Sequence, residues 1–167
     1  ILDKPGMDKT MRIGILTKNF SKLNHITRKL KNAEFNLVHL KKIPELDHEI
    51  DVIVSDEAIE KCLTPHVIPG NLEILELKIR CAYYQKNQLI VGIDPGGICG
   101  LVAAANNHLL FQREFDNINS MTNLIVSIND EIGIKYIKIG LGSPPVRNLI
   151  VNSLENYRDK LQFIAVS

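Results

Sequence analysis

The sequence predicts a two-part α/β protein: a small parallel-sheet module, then a mixed-sheet domain whose elements run β-β-β-α-β-α-β. Three observations predict it. Apolar runs of strand length alternate with stretches whose apolar residues recur at three- and four-residue spacing. A polar bridge, Gln85 to Gln88, separates a strand-helix alternation from a strand-rich second half. Beyond the bridge, an apolar strand ends in Asp94, turns through Pro95, Gly96 and Gly97, and leads at once into a second apolar run to Ala105. Residues 1–10 read as a lead-in, with Met7 and Met11 both candidate natural starts. Residues 11–87 form the first module and 88–167 the second domain.

In the first module, Met11 to Leu16 is a short strand signal. Asn19 caps a helix whose apolar positions Phe20, Leu23, Ile26 and Leu30 fall at helical spacing. Phe35 to Leu40 alternates apolar and polar and returns as a strand. An acidic connector, Pro44 to Glu49, leads into a third strand, Asp51 to Ser55. Ser55 or Asp56 caps a short helix, Glu57 to Leu63. Pro65, Pro69 and Gly70 break the chain, and Asn71 caps a helix over Leu72 to Tyr84, with Ile74, Leu77, Cys81 and Tyr84 on one face and a Glu76 to Arg80 pair on the other. A strand through Leu72 to Leu77, which also alternates, is the competing reading.

In the second domain, Leu89 to Ile93 is the buried strand, and Asn106-Asn107-His108 turns the second strand into a third, Leu109 to Phe115. Asn119 or Ser120 caps a helix carrying Met121, Leu124, Ile125, Ile128 and Ile132, and Gly133 ends it. Tyr136 to Leu141 is a strand. Ser143 then caps a helix opened by Pro144, with Val146, Leu149, Ile150, Leu154 and Tyr157 as its buried face. Gln162 to Val166 is the last strand.

Composition bounds the function loosely. With 45% hydrophobic and 23% charged residues in 167, the chain is globular in composition. A net charge of +1 gives no global pull toward nucleic acid. The charge is uneven: residues 1–42 hold ten Lys and Arg against three acids, and 43–60 hold seven acids and no Lys or Arg. This reads either as solvated faces or as a nucleic-acid-facing patch. Three scattered cysteines predict buried thiols in a reducing compartment, and no Cys/His spacing points to zinc. No apolar run approaches the ~20 residues that span a bilayer and no signal-peptide core opens the chain, so a cytoplasmic protein without membrane contact is expected. A phosphate-binding P-loop needs Gly-Lys-Ser/Thr after its glycines, and a dinucleotide fingerprint needs a helix there. Neither occurs. Cys99 and Ser143 have no activating His or Lys near them in sequence.

The run Gly92-Ile93-Asp94-Pro95-Gly96 at the head of a three-stranded meander resembles the first strand of the ribonuclease H-like superfamily, nearest to RuvC-type resolvases and YqgF-type nucleases. In those families the aspartate is the first ligand of a catalytic Mg²⁺ or Mn²⁺, which implies that role for Asp94, and nucleic acid as partner. RuvC-type enzymes carry a Glu at the end of the fourth strand, where this chain has Ile139-Gly140-Leu141-Gly142-Ser143. The glycine turn Gly140 to Pro145 is more similar to the YqgF type, whose next acid comes after the fifth strand. The chain is also similar to archaeal proteins with an extra N-terminal α/β region before such a domain, in which a pair like Arg147-Asn148 comes after the turn. The resemblance implies a C-terminal helix after the fifth strand. The expectation is therefore an incomplete site with little or no cleavage by this chain, because a two-ion centre needs more than one carboxylate. The same short motif also opens the phosphate hairpin of actin-like ATPases, which would use Gly96, Gly97 and Gly100. A catalytically silent nucleic-acid or protein-binding module is a further alternative.

Each candidate site residue has two readings. Asp94 either faces a metal or phosphate or caps its own turn. Gly96 and Gly97 line the phosphate side of the same turn or only bend it. Gly142 and Ser143 either offer N–H groups to a phosphate at a helix start or turn the chain tightly. Arg147 either clamps that phosphate or sits on a solvated face. Lys18, Lys22, Arg28 and Lys29 are candidate positioning contacts to a nucleic-acid backbone. The sequence leaves the oligomeric state and the form of the nucleic acid open.

Overall fold

The chain divides between Lys86 and Asn87 into two units in a computed structural model, which describes residues 10–43 and 49–164. The lead-in through residue 9, the connector from Pro44 to His48 and the end of the last strand from Ala165 lie outside the described residues.

The first unit runs β1 (Arg12–Leu16), α1 (Phe20–Leu30), β2 (Asn36–Leu40), β3 (Val52–Ser55), β4 (His66–Val67) and α2 (Leu75–Tyr83), the last entered through a 3-10 turn, Leu72–Ile74. All four strands are parallel, in the order β2-β1-β3-β4. Ile13, Ile15, Val52 and Val54 meet Ile26 and Leu30 of α1 and Leu75 and Ile79 of α2 in one buried cluster. Asn19 caps α1 by accepting from the Lys22 N–H, and Asn71 caps the 3-10 turn by accepting from the Glu73 N–H. The Glu76–Arg80 pair forms across one turn of α2.

Three local expectations change. Phe20 is 75% exposed, so only Ile26 and Leu30 of the α1 stripe are buried. No helix forms over Glu57 to Leu63. Ser55 Oγ donates to the Glu57 carbonyl, and Lys61 takes a φ of 56°, which an α-helix does not accommodate. The third change is that helix α2 is buried more broadly than one stripe, with Leu75 and Ile79 inside as well as Leu77 and Cys81.

The second unit runs β5 (Leu89–Asp94), β6 (Cys99–Ala105), β7 (His108–Phe115), α3 (Ile118–Glu131), β8 (Ile134–Gly140), α4 (Pro144–Ser153), a 3-10 stretch (Glu155–Lys160) and β9 (Leu161–Ile164). Its mixed sheet has the order β7-β6-β5-β8-β9: β6 is antiparallel to both β5 and β7, while β8 lies parallel to β5 and to β9. Asn106 and Asn107 both take positive φ, as a two-residue hairpin turn of the favoured hand requires. Leu89, Val91 and Ile93 alternate onto the face that also buries Leu101, Ala103, Ile137 and Ile139. Met121, Leu124, Ile125 and Ile128 supply the buried stripe of α3, and Gly133, at φ 112°, ends that helix. The cap of α3 is Asn117, ahead of both expected residues, Asn119 and Ser120, because its side chain accepts from the Ser120 N–H. Of the face expected for α4, Ile150 and Leu154 are buried and Leu149 is exposed. Among the described residues, no helix is long and apolar enough to cross a membrane.

Core packing sets two expected outcomes. Ile125→Ala, at a site with no exposure, lowers stability by about 2–5 kcal/mol, read from the urea midpoint. Burial pushes the Cys81 thiol up to about 12, and Cys99 is also buried. Native protein is therefore expected to expose one thiol, that of the partly exposed Cys62, to a thiol reagent at mildly alkaline pH, and all three after unfolding.

Candidate functional site

Asp94 is the last residue of β5, the middle strand of five, and its side chain is exposed. Since β5 and β8 run parallel, with Ile93 opposite Ile139, their carboxyl ends open on the same rim. The chain leaves β8 at Gly140 and bends through Leu141, Gly142 and Ser143 into α4. The Ser143 N–H donates to the Pro95 carbonyl at 3.1 Å, which presses the bend onto the loop that carries Asp94. A Cβ on Gly142 would stand 2.4 Å from the Pro95 oxygen and 3.5 Å from Asp94 Oδ1. Glycine is needed here for close approach. On the other side of Asp94 stands Gly100, whose Cβ would lie 3.7 Å from the Asp94 Cβ, so the carboxylate faces a side-chain-free strip of β6.

Next in the same row comes Glu114. It pairs with Gly100 on β7, so Asp94, Gly100 and Glu114 share one face of the sheet, and Glu114 is exposed. Sequence reasoning missed this residue. Counting back from the Asn106-Asn107 turn puts Arg113 opposite Gly100, but a register shift between Ala103 and Ala104 inserts one residue into β7 and brings Glu114 into that place.

The remaining candidates of the second unit lie around the same rim with unequal capacity to bind. A Cβ on Gly96 would stand 3.0 Å from the Ile98 carbonyl oxygen, whereas Gly97 is exposed with open space around it. Arg147 Nη1 donates to the Leu141 carbonyl at 3.3 Å, which places the guanidinium at the bend. The helix start, however, is poor in donors. Ser143 spends its amide on Pro95 and its hydroxyl makes no cap, while Pro144 and Pro145 have no N–H at all. Val146 is the first helical residue of α4 with an N–H, so the anion-receiving amides expected there are largely missing. The two prolines were legible in the sequence as a loss of donors as well as a helix start.

Lys18, Lys22, Arg28 and Lys29 all belong to the first unit, where they divide. Lys22 is bonded to Asp56 at 3.2 Å, and Lys29 pairs with Glu73. Lys18 and Arg28 make no ion pair among the described residues, and Arg28 lines a shallow groove with Asn24, Lys31 and Phe35. Asp56, expected only as a helix cap, instead accepts from Thr17 Oγ1 at 2.6 Å as well as from Lys22. The Thr17 hydroxyl, assisted by the Lys22 ammonium, holds the Asp56 carboxyl below its ordinary 3.8.

Asp94 offers an exposed monodentate or bidentate oxygen ligand. A magnesium-like cation keeps several waters and takes one or two carboxylates plus substrate phosphate oxygens, and Asp94 fits that role for one hydrated ion. Among the described residues no group of three or more His, Cys, Asp or Glu side chains is close enough to hold a metal.

The glycines separate by substitution. Gly142→Ala, whose new methyl meets a backbone oxygen, is expected to cost about 1–3 kcal/mol, and Gly97→Ala to stay within about 0.5 kcal/mol, both by denaturant titration. For Asp56 the sign is set by its lowered folded value. The charged carboxylate stabilises the first unit above pH 3.8, and that contribution is lost as pH falls through the folded value. Melting temperatures taken from neutral pH downward are expected to fall less steeply below 3.8 in Asp56→Asn than in the parent chain.

Compared with protein-family models and with curated proteins, the chain matches none, so the geometry of Asp94 and its surroundings carries the functional reading.

Proposed function

We propose that the second unit is a ribonuclease H-like domain of the RuvC/YqgF type, and that its Asp94 rim meets a phosphodiester of nucleic acid through a hydrated Mg²⁺ or Mn²⁺. One observation carries this reading: an exposed carboxylate at the carboxyl end of the central strand, with the Gly142 bend held against it by the Ser143-to-Pro95 hydrogen bond. Ligand sites of open α/β sheets open at such strand ends. The element order of three strands, helix, strand, helix, strand supports it as well.

In this reading Asp94 holds the cation, which when bound would neutralise phosphate charge and acidify a coordinated water. Gly142 and Gly100 put no side chain beside the carboxylate. Arg147, tied by one donor to Leu141, has other guanidinium donors for a phosphate oxygen. Gly96 and Gly97 shape the loop, and Lys18, Lys22, Arg28 and Lys29 are positioning contacts of the first unit.

The donor-poor start of α4 favours contact through a cation over direct capture of phosphate by amides. The presence of one site carboxylate with Glu114 two strands away favours binding over rapid cleavage. The second reading, a non-catalytic nucleic-acid-binding module, rests on that same shortage of acids.

The test is fluorescence anisotropy of a labelled oligonucleotide in EDTA and in MnCl₂, with Mn²⁺ binding read separately by electron paramagnetic resonance. Expected are Mn²⁺ binding that is lost in Asp94→Asn, and oligonucleotide affinity about tenfold higher with metal in the parent chain only. Affinity indifferent to both metal and Asp94→Asn would falsify the proposal and leave the binding module.

A further inference from the structure

The order β2-β1-β3-β4 means that the chain goes outward from β1 to β2 on one side, then returns to place β3 on the other. The loops after β1 and β3 are joined there by the Thr17-to-Asp56 hydrogen bond. Beside that junction a cleft of about 250 Å³ opens between α1 and the segment after β4. Lys22, His25, Ile26, Asp56, Ile68 and Leu72 line it.

The three α1 residues fall at i, i+3 and i+4, so one helix face forms a wall. That face is bracketed by two ion pairs, Lys22 with Asp56 and, two turns on, Lys29 with Glu73. His25 stands between them with no hydrogen bond among the described residues. The facing wall is held by Lys78, whose Nζ donates to the Ile68 carbonyl at 2.6 Å. Asp56 is already engaged by the Thr17 hydroxyl, and Lys22 gives it one of three ammonium donors, which leaves two. The polar surface thus offers donors to an anion, and Ile26, Ile68 and Leu72 offer apolar contact. At about 30 Å³ per water the space equals roughly eight waters, enough for a phosphate and a short organic body.

We propose that this cleft binds a small phosphate monoester, with the phosphate on Lys22 and His25 and the organic part against Ile26, Ile68 and Leu72. It belongs to the first unit alone and does not depend on the Asp94 rim.

Titration of the isotopically labelled full chain with ribose 5-phosphate, monitored by nuclear magnetic resonance, tests it. Saturable shifts are expected at the His25 ring and at the Lys22 and Gly70 amides. Lys22→Gln is expected to weaken binding about tenfold, the loss of one charge-assisted hydrogen bond. Asp56→Asn, which keeps an acceptor for Thr17 while releasing Lys22, is expected to tighten it severalfold, and Asp94→Asn to leave it unchanged. Absence of saturation, or an affinity unmoved by Lys22→Gln and by Asp56→Asn alike, overturns the assignment. So does a single-stranded oligonucleotide that shifts these residues when ribose 5-phosphate does not, which would give the cleft to nucleic acid.

Discussion

One backbone hydrogen bond organises the rim of the second unit. The Ser143 N–H reaches across to the Pro95 carbonyl, and this requires the segment between β8 and α4 to lie against the turn between β5 and β6. A net backbone hydrogen bond contributes only about 1 kcal/mol, so the contact also depends on how its surroundings pack. Gly142 has no side chain to hold the two segments apart, and Pro95 is buried behind Asp94. The parallel pairing of β5 and β8 sets both ends at one level. Asp94 is left pointing outward, beside a surface made of backbone and glycine. In the proposed reading that is a surface for a hydrated ion. It is a poor one for a bare anion, because the nearest helix begins with two prolines.

The carboxyl edge of the first unit works differently. There the carboxylate, Asp56, is satisfied inside the protein by Thr17 and Lys22, and the remaining donors belong to the Lys22 ammonium and the His25 ring. Both edges lie at the ends of parallel strands, yet the exposed group of one is an acid and those of the other are a lysine and a histidine. The difference arises from what the loops provide: a hydroxyl after β1 in the first unit and a glycine bend after β8 in the second.

Much of this was legible from residue patterns. Apolar runs of strand length marked β5 to β7, and the asparagine pair marked the turn between β6 and β7, where both residues take positive φ. Three- and four-residue spacing marked α3, and of its five predicted core residues Met121, Leu124, Ile125 and Ile128 are buried while Ile132, at the helix end, is half-buried. What escaped had physical causes. The two-residue strand β4 is too short to show a period. Phe20 counted as core because spacing alone cannot tell an exposed first residue of a helix from a buried one. Lys61 adopts a left-handed backbone with no glycine to announce it. Glu114 was hidden by a single inserted residue in β7, which exchanges the two faces of that strand beyond the shift. The Thr17-to-Asp56 bond joins residues 39 apart, and no local signal carries such a pairing.

The order of strands in the second unit also bears on how it assembles. The meander from β5 to β7 joins neighbours along the chain through short turns, and loops of that length close in microseconds or less. The pairing of β5 with β8 spans about 45 residues and must wait for α3 to reverse the chain, at a higher entropic cost of closure. Until β8 arrives, Asp94 has neither Gly142 nor Ser143 beside it. The rim is thus a late-completed part of the molecule, and a chain stalled at the meander would carry its acid on an unfinished sheet with an open edge.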